Sequence, residues 1–348
     1  MSQPVDAPVQ AVATAELCKA LEHALVQHFG VVRSIAKLER RPSPYRTSFA
    51  LEELDLLLDD GTRLQLMFKD LGSQGLLAGA RQAKPAFLYN PLREIESYRA
   101  ILAPSRLGTA ICYGAIVEPQ LGRYWLFLEK VPGVELYQVG EFATWLQVAR
   151  WLAGMHTRVA EDVERLTGAA HLLIYDGDFY RQWVRRAQVF LQHGKALQSR
   201  DARRGFERLA ARYDQVVERL VALPVTFIHG EFYPSNVLIQ ETAAELRVCP
   251  VDWEMAAVGP GLIDLAALTT GRWTEDKRIA LAMAYRAELA PNGGWLPAPE
   301  TFLAALDYCH LHLAVQWLGW APDWSPPPEH AQDWLREALR LAEKVGLC

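Results

Sequence analysis

The sequence predicts an α+β protein of two lobes, a small N-terminal β-sheet lobe with one key helix and a larger, mainly helical C-terminal lobe. Three observations predict it. At 348 residues the chain is too long for one small core. Residues 1–130 contain runs in which apolar and polar positions alternate as in strands, with turn residues between them. After the turn "KVPG" (130–133) the pattern changes to that of amphipathic helices and stays helical almost to the end. The expected boundary therefore divides the chain into lobes 1–130 and 131–348.

"SFALEELDLLL" (48–58) and "RLQLMFK" (63–69) flank the turn signal "DDGT" and read as a hairpin. In the second strand Leu64, Leu66 and Phe68 share one face, and Arg63, Gln65, Met67 and Lys69 the other. Lys69 therefore ends the strand on the face away from the strongest apolar stripe. The key helix is "NPLREIESYRAIL" (90–102), with Asn90 as its N-cap and Pro91 as its first residue. Ile95, Tyr98, Ile101 and Leu102 form its buried stripe. Glu94 lies in line with Tyr98 and Ile101 and so faces the packed side, whereas Glu96 points to water. "RYWLFLE" (123–129) reads as a buried strand leading into the boundary turn. Beyond it come "FATWLQVARWLAGMH", "FYRQWVRRAQVFLQ", "RRGFERLAARYDQVVERLVAL", "EDKRIALAMAYRAEL", "ETFLAALDYCHLHLAVQWLGW" and "AQDWLREALRLAEKV", all at helical spacing. "DWSPPPEH" (323–330) is a short proline-rich connector.

Composition narrows the function. The chain is 51% apolar and 22% charged, as expected of a soluble globular protein. A net charge of −5 argues against nucleic acid as a partner, because phosphate contacts need clustered Lys and Arg. The Arg-rich "RQWVRRAQ" has the spacing of a solvated helix face. Cys18, Cys112, Cys249, Cys309 and Cys348 are scattered and never paired as CxxC, which fits reduced thiols and a cytoplasmic location. No signal peptide is expected at the start, and no apolar run approaches the ~20 residues that span a bilayer, so no membrane association is expected.

The chemistry concentrates in "FIHGEFYPSNVLIQETAAELRVCPVDWEMAAVGPGLIDLAAL" (227–268). "NVLIQ" (236–240) and "LRVCPV" (246–251) read as two strands joined by "ETAAE". If antiparallel, they bring Asn236 close to Asp252, since paired Cα atoms are only ~4.5–5.5 Å apart. Glu231 and His229 enter the same end. A few hard oxygen donors without a soft ligand describe a Mg²⁺ site better than a zinc site.

"HGEFYPSN" (229–236) resembles the His-Gly-Asp-x4-Asn catalytic loop of the aminoglycoside phosphotransferase and choline kinase family, relatives of the protein kinases. "VDWEMAAVGPGLIDLAAL" is similar to that family's metal-binding Asp segment and the run after it. Lys69 at the end of the third strand, "REIESY", "FLEKVPG" and "LAGMH" match further family elements in the same order, over roughly residues 30–275. The resemblance implies a protein-kinase-like fold with ATP between the lobes, and leaves the choice of ATP or GTP open. Lys69 would contact the α/β-phosphates and be held by Glu94, and the backbone of Glu129 to Val131 would meet the base. Asn236 and Asp252 would hold Mg²⁺, and Glu231 would accept or orient the proton of a substrate hydroxyl attacking the γ-phosphoryl group. The partner would be a small-molecule alcohol such as an aminoglycoside, amino alcohol or sugar; the resemblance leaves the oligomeric state open.

Two departures set the alternatives. Glu231 replaces the family's usual Asp, which keeps a nucleotide-binding pseudokinase or scaffold as the rival reading. The expected phosphate loop, "ERRPSPYRTSF" (39–49), has no glycine, so Ser43, Thr47 and Ser48 are its candidate donors. The missing glycine loop also weighs against a protein kinase. His229 and His156 are expected to be structural, Glu254 to be exposed or hydrogen-bonded, and Asp264 to accept N–H bonds as a buried acid. Trp317, Trp320, Trp324 and Trp334 are expected in the core. Because Asp307, Asp323 and Asp333 lie near them in sequence, an aromatic pocket for a cationic acceptor is the alternative, as is Trp stacking on a sugar ring.

Overall fold

The computed structural model describes residues 12–160, 163, 165–166, 170–193, 200–241, 246–271, 273–289, 295–320 and 332–347. The chain divides into two compact units, Met1–Gly133 and Val134–Cys348.

The first unit runs α1 (Thr14–Phe29), β1 (Ile35–Pro42), β2 (Ala50–Leu58), β3 (Arg63–Asp70) and α2 (Ala78–Ala83). The helix α3 (Arg93–Glu96) continues as a π turn over Ser97–Leu102 and closes with α4 (Ala103–Ser105); β4 (Cys112–Glu118) and β5 (Arg123–Glu129) follow. The strands form one antiparallel sheet in the order β1-β2-β3-β5-β4. Alternation buries Leu54, Leu56 and Leu58 of β2, Leu66 and Phe68 of β3, and Trp125 and Phe127 of β5 in one cluster. Leu17, Leu21, Ala24 and Leu25 of α1 complete it.

One notable helix is thus an undercount for this unit. Leu17, Leu21 and Leu25 recur every four residues, the spacing of one helix face. Each such leucine, fully buried, contributes roughly 2 kcal/mol of hydrophobic stabilisation. Gly114 lets α1 approach β4, for a Cβ there would lie 2.7 Å from the Ala24 Cβ.

The second unit begins with β6 (Val134–Glu135), α5 (Phe142–Ala160), β7 (Leu173–Ile174), α6 (Gly177–His193), α7 (Arg200–Ala211) and α8 (Tyr213–Val221). It continues through β8 (Val225–Ile228), β9 (Val237–Glu241), β10 (Leu246–Pro250) and β11 (Ala257–Pro260). Four helices end it: α9 (Leu262–Leu268), α10 (Glu275–Leu289), α11 (Pro299–Trp320) and α12 (Trp334–Lys344). The single helical run read over 203–223 is two helices, broken at Arg212 (φ −109°, ψ 5°), where a guanidinium N–H donates to the Leu347 carbonyl. From Leu311 to Gly319 every residue of α11 is buried, His312 and Gln316 included, so its mid-to-C-terminal part runs through the core. Two small sheets, β10-β9-β6 and β7-β11-β8, carry the loops that matter for function.

The four described cysteines are free thiols. Among the described residues no helix is long and apolar enough to cross a membrane. The proline-rich stretch 323–330, with Asp323 and Trp324, lies outside the described residues, as does Cys348.

Candidate active site

In the first unit, β3 delivers Lys69 between Leu51 of β2 and Leu126 of β5 in the strand register. Its ammonium donates to Glu94 Oε2 at 2.6 Å, and both side chains are buried. Asn90 Oδ1 accepts the Leu92 N–H at 2.9 Å, a turn three residues before α3 begins; the N-cap is Leu92, not Asn90, and Pro91 precedes the helix instead of opening it. Glu94 is 2% exposed and Glu96 half-buried, paired with Arg99 at 3.6 Å. A buried ion pair of this kind positions an ammonium better than it stabilises a fold, because desolvation offsets most of the attraction.

Beside Lys69, Asp70 accepts the Gly72 N–H at 3.0 Å, and burial pushes its carboxyl up to about 6 from an ordinary 3.8. Protonation is therefore favoured by folding: this contribution is full below the unfolded value and is lost as pH rises through about 6. Asp70→Asn keeps an oxygen for Gly72 without the buried charge. It should stabilise the protein by roughly 2–3 kcal/mol at pH 8 and hardly at all at pH 4, as read by urea unfolding at the two pH values.

At the end of β5, the Glu129 N–H donates to the Ile111 carbonyl (2.8 Å), and Glu129 Oε2 accepts the Ile111 N–H (3.0 Å). The Lys130 N–H donates to Gln65 O at 3.0 Å. The Val131 N–H has no partner among the described residues, while its carbonyl accepts from Gly133. In the segment 39–49, Glu39 to Pro42 belong to β1, and Ser43 faces inward, its hydroxyl accepting the Tyr45 N–H. Thr47 is exposed and Ser48 half-buried.

In the second unit, β9 and β10 pair antiparallel with Pro250 opposite Val237. One step beyond, the Val251 N–H donates to the Asn236 carbonyl at 2.9 Å, so Asn236 and Asp252 leave the same end of the hairpin. Asp252 holds a left-handed conformation (φ 65°, ψ 61°), uncommon outside glycine and frequent at functional sites. The Asn236 amide nitrogen donates to the Glu231 carbonyl at 3.0 Å, which leaves its Oδ1 as the atom available to a cation.

The loop from β8 to β9 is pinned from below. Asp264, fully buried in the first turn of α9, accepts the N–H of His229 (2.7 Å) and of Gly230 (2.9 Å). The Nε2 of His156 lies 3.2 Å from the same carboxylate, and its Nδ1 meets the Tyr285 hydroxyl at 2.8 Å. His229 Nε2 contacts the Val251 carbonyl at 2.8 Å, and its ring tilts against Trp253. Gly230 has φ +82°, and a Cβ there would lie 2.4 Å from the Met255 carbonyl oxygen, so only glycine fits. Both histidines are thus structural, and Glu254 is buried rather than exposed.

A cavity of about 340 Å³ opens beside this loop and is lined by Tyr233, Pro234 and Ser235 from it. Phe142, Trp145, Trp273 and Trp334 provide aromatic walls. Trp145 meets Trp273 edge-on at 4.7 Å, and Trp334 stacks on Trp317 at 5.1 Å. Two of the three acids named with these aromatics are elsewhere employed: Asp307 accepts from Lys344 Nζ (2.8 Å), and Asp333 caps α12 through the Arg336 N–H (2.9 Å). Trp320 is only half-buried and packs on the buried Trp183. Sequence reasoning missed Phe142, Trp145, Trp273 and Lys277, which carry no motif and meet only through packing of α5 against the segment before α10.

A model of the phosphotransferase enzyme family matches residues 91–302, more than half of the chain. The chain belongs to that family. Solved structures with a similar fold include the GDP complex of wild-type aminoglycoside 2'-phosphotransferase-IIIa, 15% identical over 94% of this chain and 98% of that one, TM-score 0.55. A microcompartment-associated aminopropanol kinase is 16% identical over 94% of each chain, TM-score 0.55. Choline kinase LicA from Streptococcus pneumoniae is 13% identical over 94% of this chain and 98% of that one, TM-score 0.54. The fold is the α+β, bilobal, protein-kinase-like one of these phosphotransferases. No curated protein matches the sequence.

Proposed function

We propose that this phosphotransferase moves the γ-phosphoryl group of ATP, or of GTP, to a hydroxyl of a small molecule, with Mg²⁺. The observation that carries the reading is the hairpin end at which Asn236 and Asp252 emerge together, with the Asn236 amide bonded to the loop that bears Glu231. Residues 1–130 act as the nucleotide-binding lobe: Lys69, oriented by Glu94, meets the α/β-phosphates, and the segment from Glu129 to Val131 meets the base. Because the Glu129 and Lys130 amides are engaged, the donor to the base is the Val131 N–H. Residues 131–348 act as the catalytic and acceptor-binding lobe.

Asn236 Oδ1 and the Asp252 carboxylate are hard oxygen donors suited to Mg²⁺. The described residues include no group of three or more His, Cys, Asp or Glu side chains that would hold a metal alone, so phosphate and water oxygens would complete the shell. The bound ion would neutralise charge on the phosphoryl oxygens. Glu231 accepts the proton of the acceptor hydroxyl as its oxygen bonds to the γ-phosphorus, and the bond from that phosphorus to the bridging oxygen breaks, releasing the diphosphate. The fold relatives are named as phosphotransferases or kinases of aminoglycosides, aminopropanol and choline, some as GDP or ADP complexes, which supports a nucleotide donor and a small alcohol as acceptor. The scattered free thiols support a cytoplasmic setting.

The test is nucleotide affinity with Mg²⁺ and with chelator, in wild type and Asp252→Ala, beside acceptor-dependent ATP consumption. Asp252→Ala should weaken Mg²⁺-ATP binding ~10-fold or more and leave metal-free binding unchanged, the scale of losing one well-placed charged ligand. An unchanged Mg²⁺-ATP affinity removes the metal assignment. Binding without turnover for every alcohol favours the pseudokinase instead.

A further inference from the structure

We infer that the acceptor is a hydroxylated ring compound bearing an anionic group, carboxylate or phosphate, and not a cationic amine. The inference rests on the kinase reading for calling the bound molecule the acceptor; the binding itself does not depend on it. At about 340 Å³ the cavity beside the catalytic loop suits one small ring. Aromatic walls serve a ring face and a cation alike, so the charges decide.

Among the described lining residues the only charged one is Lys277, and no carboxylate is present. The Lys277 ammonium lies over the Phe142 ring at 5.3 Å and the Trp273 ring at 5.7 Å. Two of the four aromatic walls, Phe142 and Trp273, therefore already hold a cation of the protein's own, and a second cation in the same pocket would be repelled. No described carboxylate pairs with Lys277; the neighbouring Glu275 is engaged by Arg278 (3.2 Å) and Lys344 (3.5 Å). An exposed ammonium with no acid beside it among the described residues, at the rim of an aromatic pocket, favours a negative substituent. Ser235, Thr270 and Gln332 supply neutral hydrogen-bonding groups for ring hydroxyls. Ser235 lies between Glu231 and Asn236 in the loop, which puts a hydroxyl bound there within the catalytic segment.

The experiment titrates the full chain, without nucleotide, with four pyranoses that differ in one substituent: a hexuronic acid, a hexose 6-phosphate, the neutral hexose and the hexosamine. Fluorescence of Trp145, Trp273 and Trp334 reports binding, and ATP consumption with the same four is measured in parallel. The acidic rings should bind at least ~10-fold more tightly than the neutral and amino forms, the effect of one added ion pair in a partly shielded site. Lys277→Glu should reverse that order, and Lys277→Gln should level it; Lys277 is exposed, so the melting temperature should not move. Tightest binding of the hexosamine, an order unaffected by Lys277→Glu, or no binding of any ring overturns the inference. Charge-ordered binding without phosphorylation upholds the pocket's preference and removes its assignment as the acceptor site, leaving the kinase reading to the test with other alcohols.

Discussion

Glu231→Gln is expected to lower kcat by ~10²–10⁴-fold, the usual worth of a positioned general base, with Mg²⁺-nucleotide affinity held within about twofold. The reason is geometric. The backbone that carries Glu231 is tied on both sides, by the His229 and Gly230 amides on Asp264 and by the Asn236 amide on the Glu231 carbonyl. The Tyr233 N–H also donates to that carbonyl, at 2.7 Å, closing a tight turn. A side chain on so constrained a loop has its reach set by its length. Glutamate carries its carboxylate roughly 1.5 Å further than aspartate would. Glu231→Asp therefore also costs activity, on the order of 10²-fold, because displacements of about 1 Å matter when alignment is the mechanism. Steady-state kinetics of the two variants decide the matter. A Glu231→Asp enzyme faster than wild type would mean that the loop still suits aspartate, and an unaffected Glu231→Gln enzyme would remove the residue from the chemistry.

Asp264→Ala is expected to cost about 3–5 kcal/mol of stability, a large share of the 5–15 kcal/mol that holds a typical domain. Asp264 is 0% exposed, and its carboxylate is the partner of two buried backbone N–H groups and neighbour to His156. Each N–H left without an acceptor costs about 1–3 kcal/mol, because water cannot reach it. The Thr226 hydroxyl donates to the His156 carbonyl at 2.7 Å, so α5 and β8 are tied to the same cluster and the loss should spread to them. Asp264→Asn keeps at least one acceptor oxygen and should fall between wild type and the alanine variant. Denaturant unfolding reads both; a loss below about 1 kcal/mol for Asp264→Ala would show that the loop is held some other way.

Much of each unit's local geometry was legible in one dimension. The pairing of Lys69 with Glu94 in the first unit follows from strand and helix spacing, and in the second the hairpin that brings Asn236 to Asp252 follows from local antiparallel pairing. The period of Leu17, Leu21 and Leu25 was equally readable, although the sheet signals around it drew attention away from α1. Other features carried no local signal. The break at Arg212 occurs inside a run that favours helix throughout, and tertiary anchoring of Arg212 on Leu347 accompanies it. That the Val131 amide is the one left without a described partner depends on Ile111 and Gln65 engaging the Glu129 and Lys130 amides.

What the sequence by itself determined is the α+β fold class and the family, because catalytic loops and strand ends are built from neighbours in the chain. What only the tertiary structure decided is the character of the aromatic pocket beside the loop 229–236. Trp145, Trp273 and Trp334 lie on three elements far apart in sequence, and Asp307 and Asp333, which suggested a cationic substrate, are occupied by Lys344 and a helix end. Charge in a pocket is a sum over groups that folding selects, and a side chain near a site in sequence adds nothing to that sum once another partner has claimed it.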